Sequence, residues 1–302
     1  MQRTTLRYYS RLVGGQFSRF AYGNDAGFSN NVSGRLELRR LRRHGRTEPS
    51  GLSATGAAER LNRAGWLELD RDADSATLAR IRARYDDLIA DPDASIDLGM
   101  GPRPDAVRHV IDPVARIPEI ASLLTDRVAD VIRAAFGTEF AIESVRVWRT
   151  IHIPEHDLTR RGRLRSSCPV SVMANTFHND EHSLTTLKYL VQLTPDVTAD
   201  TGAFRIIPID STKRIVRTGF LRPDLVVGPA RRRLETAGNV VVFDGPPGSG
   251  LLCNTQRCLH RAGIPKLGFE RAMIQFAITP SATPWDSGWP QRMRPDRDVS
   301  RD

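Results

Sequence analysis

The sequence is short of cysteine, of lysine and of long apolar runs. Its three Cys (Cys168, Cys253, Cys258) make an odd set with no Cys-x-x-Cys pair. That argues against a disulfide framework and a cysteine-rich zinc site, and for reduced thiols. No apolar stretch approaches the roughly 20 residues that a membrane-spanning helix needs. A hydrophobic secretory core with a small-residue cleavage site is also missing, so a cytoplasmic protein is the expectation. Lysine is reduced to Lys188, Lys213 and Lys266 against 41 Arg, a bias that a GC-rich coding sequence produces by itself. Acids are scarce only at the start. Residues 1–50 carry ten Arg against Asp25, Glu37 and Glu48, which is +7 of the formal +9. The basicity therefore belongs to a tail, and no stable nucleic-acid partner is expected.

What is present organises the chain into three parts. Residues 1–50 read as a basic N-terminal extension. Its start suits a short amphipathic helix or a transit peptide, but a terminus packed loosely on the body is the simpler expectation. The run LELRRLRRHGR (36–46) reads as a solvated helix face. Residues 51–285 read as the functional domain, and residues 286–302 as a polar tail. Within the domain, 51–137 is helical. Leu78, Ile81, Tyr85 and Leu88 recur at helical spacing behind an Asp74/Ser75 cap. A second helix is predicted over 118–136, with Val128, Val131, Ile132 and Ala135 as its stripe and Gly137 as its stop. After Gly137 the period changes to two. FAIESVRVWRTIHI (140–153), TTLKYLVQL (185–193), GAFRIIP (202–208), GNVVVFD (238–244) and RAMIQFAIT (271–279) read as strands. Helices followed by antiparallel-type strands predict an α+β chain with a sandwich or barrel core at 138–285.

The chemistry concentrates in His178-Asn179-Asp180 and the distant His260. His-x-Asp on a strand puts two side chains on one side of the chain, and a His on a paired strand can complete a face. Two imidazoles and one carboxylate then hold one face of an octahedral ion and leave three positions free. This is the donor set of non-haem Fe(II) oxygenases: two free positions suit a bidentate 2-oxo acid and one suits dioxygen. Arg271 stands eleven residues after His260, at the start of an apolar strand. Its fork offers a partner to the far carboxylate of 2-oxoglutarate, which is costly to bury alone.

The segments FHNDEHSLTTLKYLVQLTPDVTADTGAFRIIPIDSTKR and AGNVVVFDGPPGSGLLCNTQRCLHRAGIPKLGFERAMIQFAIT resemble the phytanoyl-CoA dioxygenase family. The first resembles its His-x-Asp block with the following Leu-Lys-rich strand, and the second its distal His and Arg. LNRAGWLELD resembles the family's opening, so the likeness spans about 55–283. It implies a double-stranded β-helix (a cupin-like jelly roll) with flanking N-terminal helices. It also implies Fe(II) on His178, Asp180 and His260, and 2-oxoglutarate on Arg271. Lys188 matches a common Lys of the family, either helping to hold 2-oxoglutarate or facing outward. The activity implied is oxidation of a small-molecule C–H bond by O2, with release of succinate and CO2. Departures are Pro208-Ile209-Asp210-Ser211 for the usual Gly-Ser-His turn and Gly238-Asn239 for Gly-Asp. An insertion, GPPGSGLLCNTQRC, precedes His260, and Val191 stands where the family often has an aromatic.

Weaker candidates are His182 as a rival ligand, His152 and His156 near a strand end, and Asn175 and Thr176 as pocket residues. Arg160, Arg161, Arg163 and Arg165, like Arg231, Arg232 and Arg233, read as solvated loop charges that could otherwise grip an anionic small-molecule substrate. The rival functions are a macromolecule hydroxylase docked through the basic N-terminus and a catalytically silent β-helix binding module.

Overall fold

The computed structural model describes residues 28–44, 52–97, 104–154, 177–180, 185–217, 236, 239–286 and 288–293. The predicted roles of His156, Cys168, Asn175, Thr176 and His182, and of the arginines at 160–165 and 231–233, lie outside these residues.

Chain order begins with α1 (Phe28–His44), α2 (Leu52–Ala64), β1 (Trp66–Leu69) and α3 (Ser75–Ala90). Residues 28–44 fall in the stretch read as an extension. There Leu41 is buried, Leu38 packs on the main core, and Arg39, Arg40 and Arg43 face solvent. The Arg42 Nε donates to the Phe136 carbonyl at 2.5 Å. Phe136 ends a helix, and a guanidinium there satisfies a carbonyl that the helix leaves without a partner. In α3 the carboxylate of Asp74 accepts from the Thr77 N–H at 2.8 Å, and Leu78, Ile81, Tyr85 and Leu88 are buried, as their spacing predicts.

Two short strands that the sequence reading missed follow: β2 (Ser95–Asp97) and β3 (Val107–Val110). They are too short to show a period. After α4 (Pro113–Arg116), the predicted helix 118–136 is two pieces, a 3₁₀ turn at Pro118–Leu123 and α5 (Asp126–Phe136). Thr125 divides them, because its hydroxyl caps α5 by accepting from Val128 N–H at 3.3 Å. Gly137, at φ +66°, ends α5 in the left-handed conformation that glycine adopts without strain.

The β region comprises β4 (Phe140–Ile151), β5 (Leu187–Gln192), β6 (Phe204–Ile206), α6 (Ile209–Arg217), β7 (Val241–Phe243), β8 (Gly250–Cys253), β9 (His260–Arg261) and β10 (Glu270–Pro280), with α7 (Trp289–Arg292) after it. The Pro208–Ser211 departure is thus the start of a helix. The presumed insertion before His260 contains β8, whose four residues are all buried and which pairs with both β1 and β5. Gly-Leu-Leu-Cys is a core strand hidden between turn-forming residues. Cys253 and Cys258 are both free thiols.

All strand pairs are antiparallel. One sheet has the order β1-β8-β5-β10-β4-β3-β2, the other β7-β6-β9. A bridge between His178 and His260 adds the His-x-Asp segment beside β9. The chain passes back and forth between the sheets, so β8-β5-β10-β4 faces β7-β6-β9 and the His178 segment. This is the predicted double-stranded β-helix in an α+β chain. No helix among the described residues is long and apolar enough to cross a membrane.

Alternation on the strands decides what each face does. On β10, Ala272, Ile274, Phe276 and Ile278 enter the core under the helices, while Arg271, Met273 and Gln275 line a cavity between the sheets. On β5, Leu187, Tyr189 and Val191 enter the core, while Lys188 and Leu190 face the cavity. Val191 therefore belongs to the packing, and Lys188 points inward, not to the outer face. Phe276 is wholly buried and stacks on Tyr189 at 5.6 Å between centroids. Phe276→Ala is expected to cost about 3–5 kcal/mol, read as a lower midpoint in urea unfolding at unchanged slope.

Candidate metal centre and its cavity

His178 and His260 exchange backbone hydrogen bonds of 3.0 and 2.9 Å, which fixes the two imidazoles side by side. Their ring centroids are 4.3 Å apart. Two residues on, the Asp180 N–H donates to the Thr255 carbonyl at 3.2 Å, tying the carboxylate to the turn before β9. The Oδ1 of Asp180 lies 3.7 Å from the His178 Nε2 and 3.6 Å from the His260 Nε2. One donor atom from each of His178, Asp180 and His260 lies within 4.8 Å of the others, close enough for one ion to touch all three.

The surroundings suit this donor set to a metal. The Nδ1 of His260 is 3.2 Å from the Cys258 carbonyl, a contact that places the proton on Nδ1 and leaves the Nε2 lone pair facing Asp180. Phe204 stacks on the same ring at 5.5 Å. Burial favours neutral His260 and lowers its pKa to about 3, against the opposing pull of Asp180. Burial alone would raise the Asp180 carboxyl, but Lys188, His260 and His178 outweigh it and hold the group well below the usual carboxylate range. The Lys188 Nζ stands 2.5 Å from Asp180 Oδ2. Two imidazoles and an ionised carboxylate with Oδ1 turned towards them are ligands that Fe(II) takes.

The low pKa of His260 has a consequence for the metal-free protein. Unfolded His260 takes up a proton near pH 6.5, but folded His260 does so only near pH 3. Between these values the unfolded state binds more protons, so stability falls as pH falls, by up to about 1.4 kcal/mol per pH unit. Asp180 adds its own loss only below the ordinary Asp range. Metal-free protein is expected to lose stability from about pH 6.5 to 4, and a His260→Gln variant should lack that slope in urea titrations at fixed pH.

Arg271 is 1 % exposed and stands opposite Thr150 across β10 and β4. Its Nη1 donates to the Gly202 carbonyl at 2.8 Å and its Nη2 to the Thr150 hydroxyl at 3.4 Å, while Nε has no partner. The carbonyl is brought there by close backbone contact: a Cβ on Gly263 would come within 2.5 Å of the Gly202 carbonyl carbon. No carboxylate pairs with Arg271 among the described residues. Burial lowers the pKa of its guanidinium to about 10, which leaves it charged at neutral pH.

Triad, Lys188 and Arg271 open onto one cavity of about 280 Å³. His152 lies outside it, with Nδ1 2.9 Å from the Pro265 carbonyl. Sequence reasoning missed several wall residues. The alternation of β4 points Arg146, Trp148 and Thr150 inward, a signal present in VRVWRT had its register been known. The hydroxyl of Thr255 is fully buried on the wall and has no partner among the described residues, a position that only the tertiary structure reveals.

No family model and no curated protein matches the chain. Solved structures match its fold. It is similar to EctD from S. alaskensis with 2-oxoglutarate and 5-hydroxyectoine, at 16% identity and TM-score 0.52, over 83% of this chain and 86% of that one. It is similar to the epimerase SnoN in complex with Fe3+, alpha ketoglutarate and nogalamycin RO, at 18% identity and TM-score 0.51, over 76% and 84%. It is also similar to SnoK, a non-heme alpha ketoglutarate dependent carbocyclase from nogalamycin biosynthesis, at 14% identity and TM-score 0.53, over 83% and 94%. At these identities the likeness establishes the shared fold.

Proposed function

We propose that the protein is a non-haem Fe(II)- and 2-oxoglutarate-dependent oxygenase of the phytanoyl-CoA dioxygenase type that oxidises a C–H bond of a small molecule. The observation that carries this reading is Arg271. A buried guanidinium with no acid partner among the described residues is costly, and it opens onto the cavity that holds three convergent metal donors. A diacid that chelates a metal at one end and needs a cation at the other resolves both features. That EctD and SnoN have been solved with 2-oxoglutarate (alpha ketoglutarate) in the same fold supports the assignment.

In this reading His178, Asp180 and His260 hold the iron, which supplies oxygen activation coupled to the splitting of 2-oxoglutarate into succinate and CO2. Arg271, seconded by the Thr150 hydroxyl, orients the cosubstrate by its distal carboxylate. Lys188 keeps Asp180 ionised and fixes the direction of its carboxylate. Phe204, Leu190 and Met273 supply apolar wall that limits water around the reacting groups.

The test is anaerobic addition of Fe(II) and 2-oxoglutarate to the full chain, followed by air. A visible metal-to-ligand charge-transfer band should form, and succinate should appear once O2 enters. Protein that binds neither Fe(II) nor 2-oxoglutarate would leave the silent binding module as the better account.

A further inference from the structure

The wall of the cavity holds one polar group that the triad and Arg271 leave unexplained. Thr255 is 0 % exposed and its hydroxyl makes no hydrogen bond among the described residues, yet it lines the cavity together with Asp180 and Lys188. A hydroxyl sealed from water without a partner is costly, so its place in a packed wall calls for a reason.

The turn that carries Thr255 is held on every side. The Asn254 N–H donates to the Gly65 carbonyl at 2.8 Å. The Asn254 side-chain oxygen accepts from the Arg257 N–H at 3.0 Å, and its carbonyl accepts from the Cys258 N–H at 3.0 Å. Gly65, at φ +85°, lets the turn approach closely: a Cβ there would come within 2.3 Å of the Cys258 Sγ. This turn touches two of the three proposed ligands. The Thr255 carbonyl accepts from the Asp180 N–H, and the Cys258 carbonyl lies beside the Nδ1 of His260. It also falls in GPPGSGLLCNTQRC, the stretch where the sequence departs from the family it resembles.

Asp180 has the matching deficit. Its Oδ1 faces both imidazoles, while its Oδ2 is buried against the Lys188 ammonium and has no second partner among the described residues. A carboxylate oxygen accepts two hydrogen bonds, so Lys188 leaves one position on Oδ2 open. The backbone bond joins Thr255 to Asp180, and both residues line the same cavity. A buried donor without an acceptor is thus set beside a buried acceptor with room for a donor.

We propose that Thr255 is a positioning residue of the metal centre: once an ion takes Oδ1 of Asp180, the Thr255 hydroxyl donates to Oδ2. Lys188 and Thr255 then hold the carboxylate as a ligand through one oxygen. The inference rests on the metal centre of the oxygenase reading. Its value there is the coordination count, because a carboxylate with both oxygens on the ion would occupy a position that cosubstrate or O2 needs.

The test is the Fe(II) affinity of the full chain without O2, from competition with a coloured chelator. Thr255→Val keeps the shape and loses the hydroxyl, and its affinity should fall about 10-fold or more, the range for groups that orient a ligand. Thr255→Ser restores the hydroxyl and should recover most of the loss. Metal-free Thr255→Val should unfold at the same or a higher urea concentration than the parent, because the hydroxyl makes no hydrogen bond in that state. At saturating Fe(II) its 2-oxoglutarate affinity, read from the charge-transfer band, should equal the parent's. Parental Fe(II) affinity in Thr255→Val overturns the proposal. So does equal weakening in Val and Ser, or a destabilised metal-free Val variant, either of which would make Thr255 a packing residue. Loss of 2-oxoglutarate with Fe(II) affinity intact overturns it as well and assigns the hydroxyl to the cosubstrate. A parent that binds Fe(II) but gives no band with 2-oxoglutarate counts against the oxygenase reading alone, and the metal affinities still decide the role of Thr255. A parent that binds no Fe(II) removes both.

Discussion

Asp180→Ala should weaken Fe(II) binding by more than about 100-fold. That range applies to loss of groups that merely orient a ligand, and Asp180 is proposed as a ligand itself. Its removal takes away the anionic member of the set and leaves the Lys188 ammonium, which stands 2.5 Å from the Asp180 carboxylate in the parent, without that counterion beside the same centre. The effect is then both a lost donor and an uncompensated cation beside two imidazoles. The double variant Asp180→Ala/Lys188→Met separates the two contributions. It should recover part of the metal affinity if the stranded ammonium repels the ion, and none of the 2-oxoglutarate turnover. Fe(II) affinity from competition with a coloured chelator, together with the charge-transfer band, reads both. An Asp180→Ala protein with parental Fe(II) affinity would remove Asp180 from the proposed centre.

Arg271→Met should show opposite signs in function and stability. In function, two charged hydrogen bonds to a carboxylate are lost, each about 1.5–3 kcal/mol. The affinity for 2-oxoglutarate should fall about 100-fold or more, with Fe(II) binding unchanged. In stability, the variant removes a wholly buried guanidinium that has no acid partner among the described residues. Replacing buried charge by apolar volume is often neutral or stabilising, by about 1–4 kcal/mol. The ligand-free variant should therefore unfold at the same or a higher urea concentration than the parent. Addition of 2-oxoglutarate should raise the parent's midpoint through linkage and leave the variant's unchanged. A variant that is strongly destabilised yet retains 2-oxoglutarate binding would make Arg271 a structural residue. Such a cost in stability for the sake of a ligand is common at functional sites.

Much of the fold was legible because its signals are local. The spacing of Leu78, Ile81, Tyr85 and Leu88 follows the helical period, and all four are buried in α3. Alternation in RAMIQFAIT placed β10 almost to its ends. The misses share one cause. β8 is four residues of continuous burial set among Gly, Pro, Ser and Asn, and a strand covered on both faces has no alternation to display. β2 and β3 are too short to carry a period. The break at Thr125 was hidden because the stripe of α5 continues the apolar character of Ile120 and Leu123 before it. The inward turn of Lys188 depends on β5 having β10 on one side and β8 on the other, with the small sheet across the cavity.

The sequence by itself determined the kinds of chemistry available: two imidazoles and a carboxylate in strand-like contexts, an arginine at a strand start, and a body with little net charge. It also determined the α+β class, because helical and alternating periods are properties of neighbours along the chain. Only the tertiary structure decided that His178 and His260 share a backbone bridge and that Arg271 has no acid partner among the described residues. It alone set Arg146, Trp148 and His109 along one wall with Lys188 against Asp180. Those facts join residues brought together by strand pairing or select one of two faces of a strand. They depend on which strands pair and in what register, which packing of the whole chain settles.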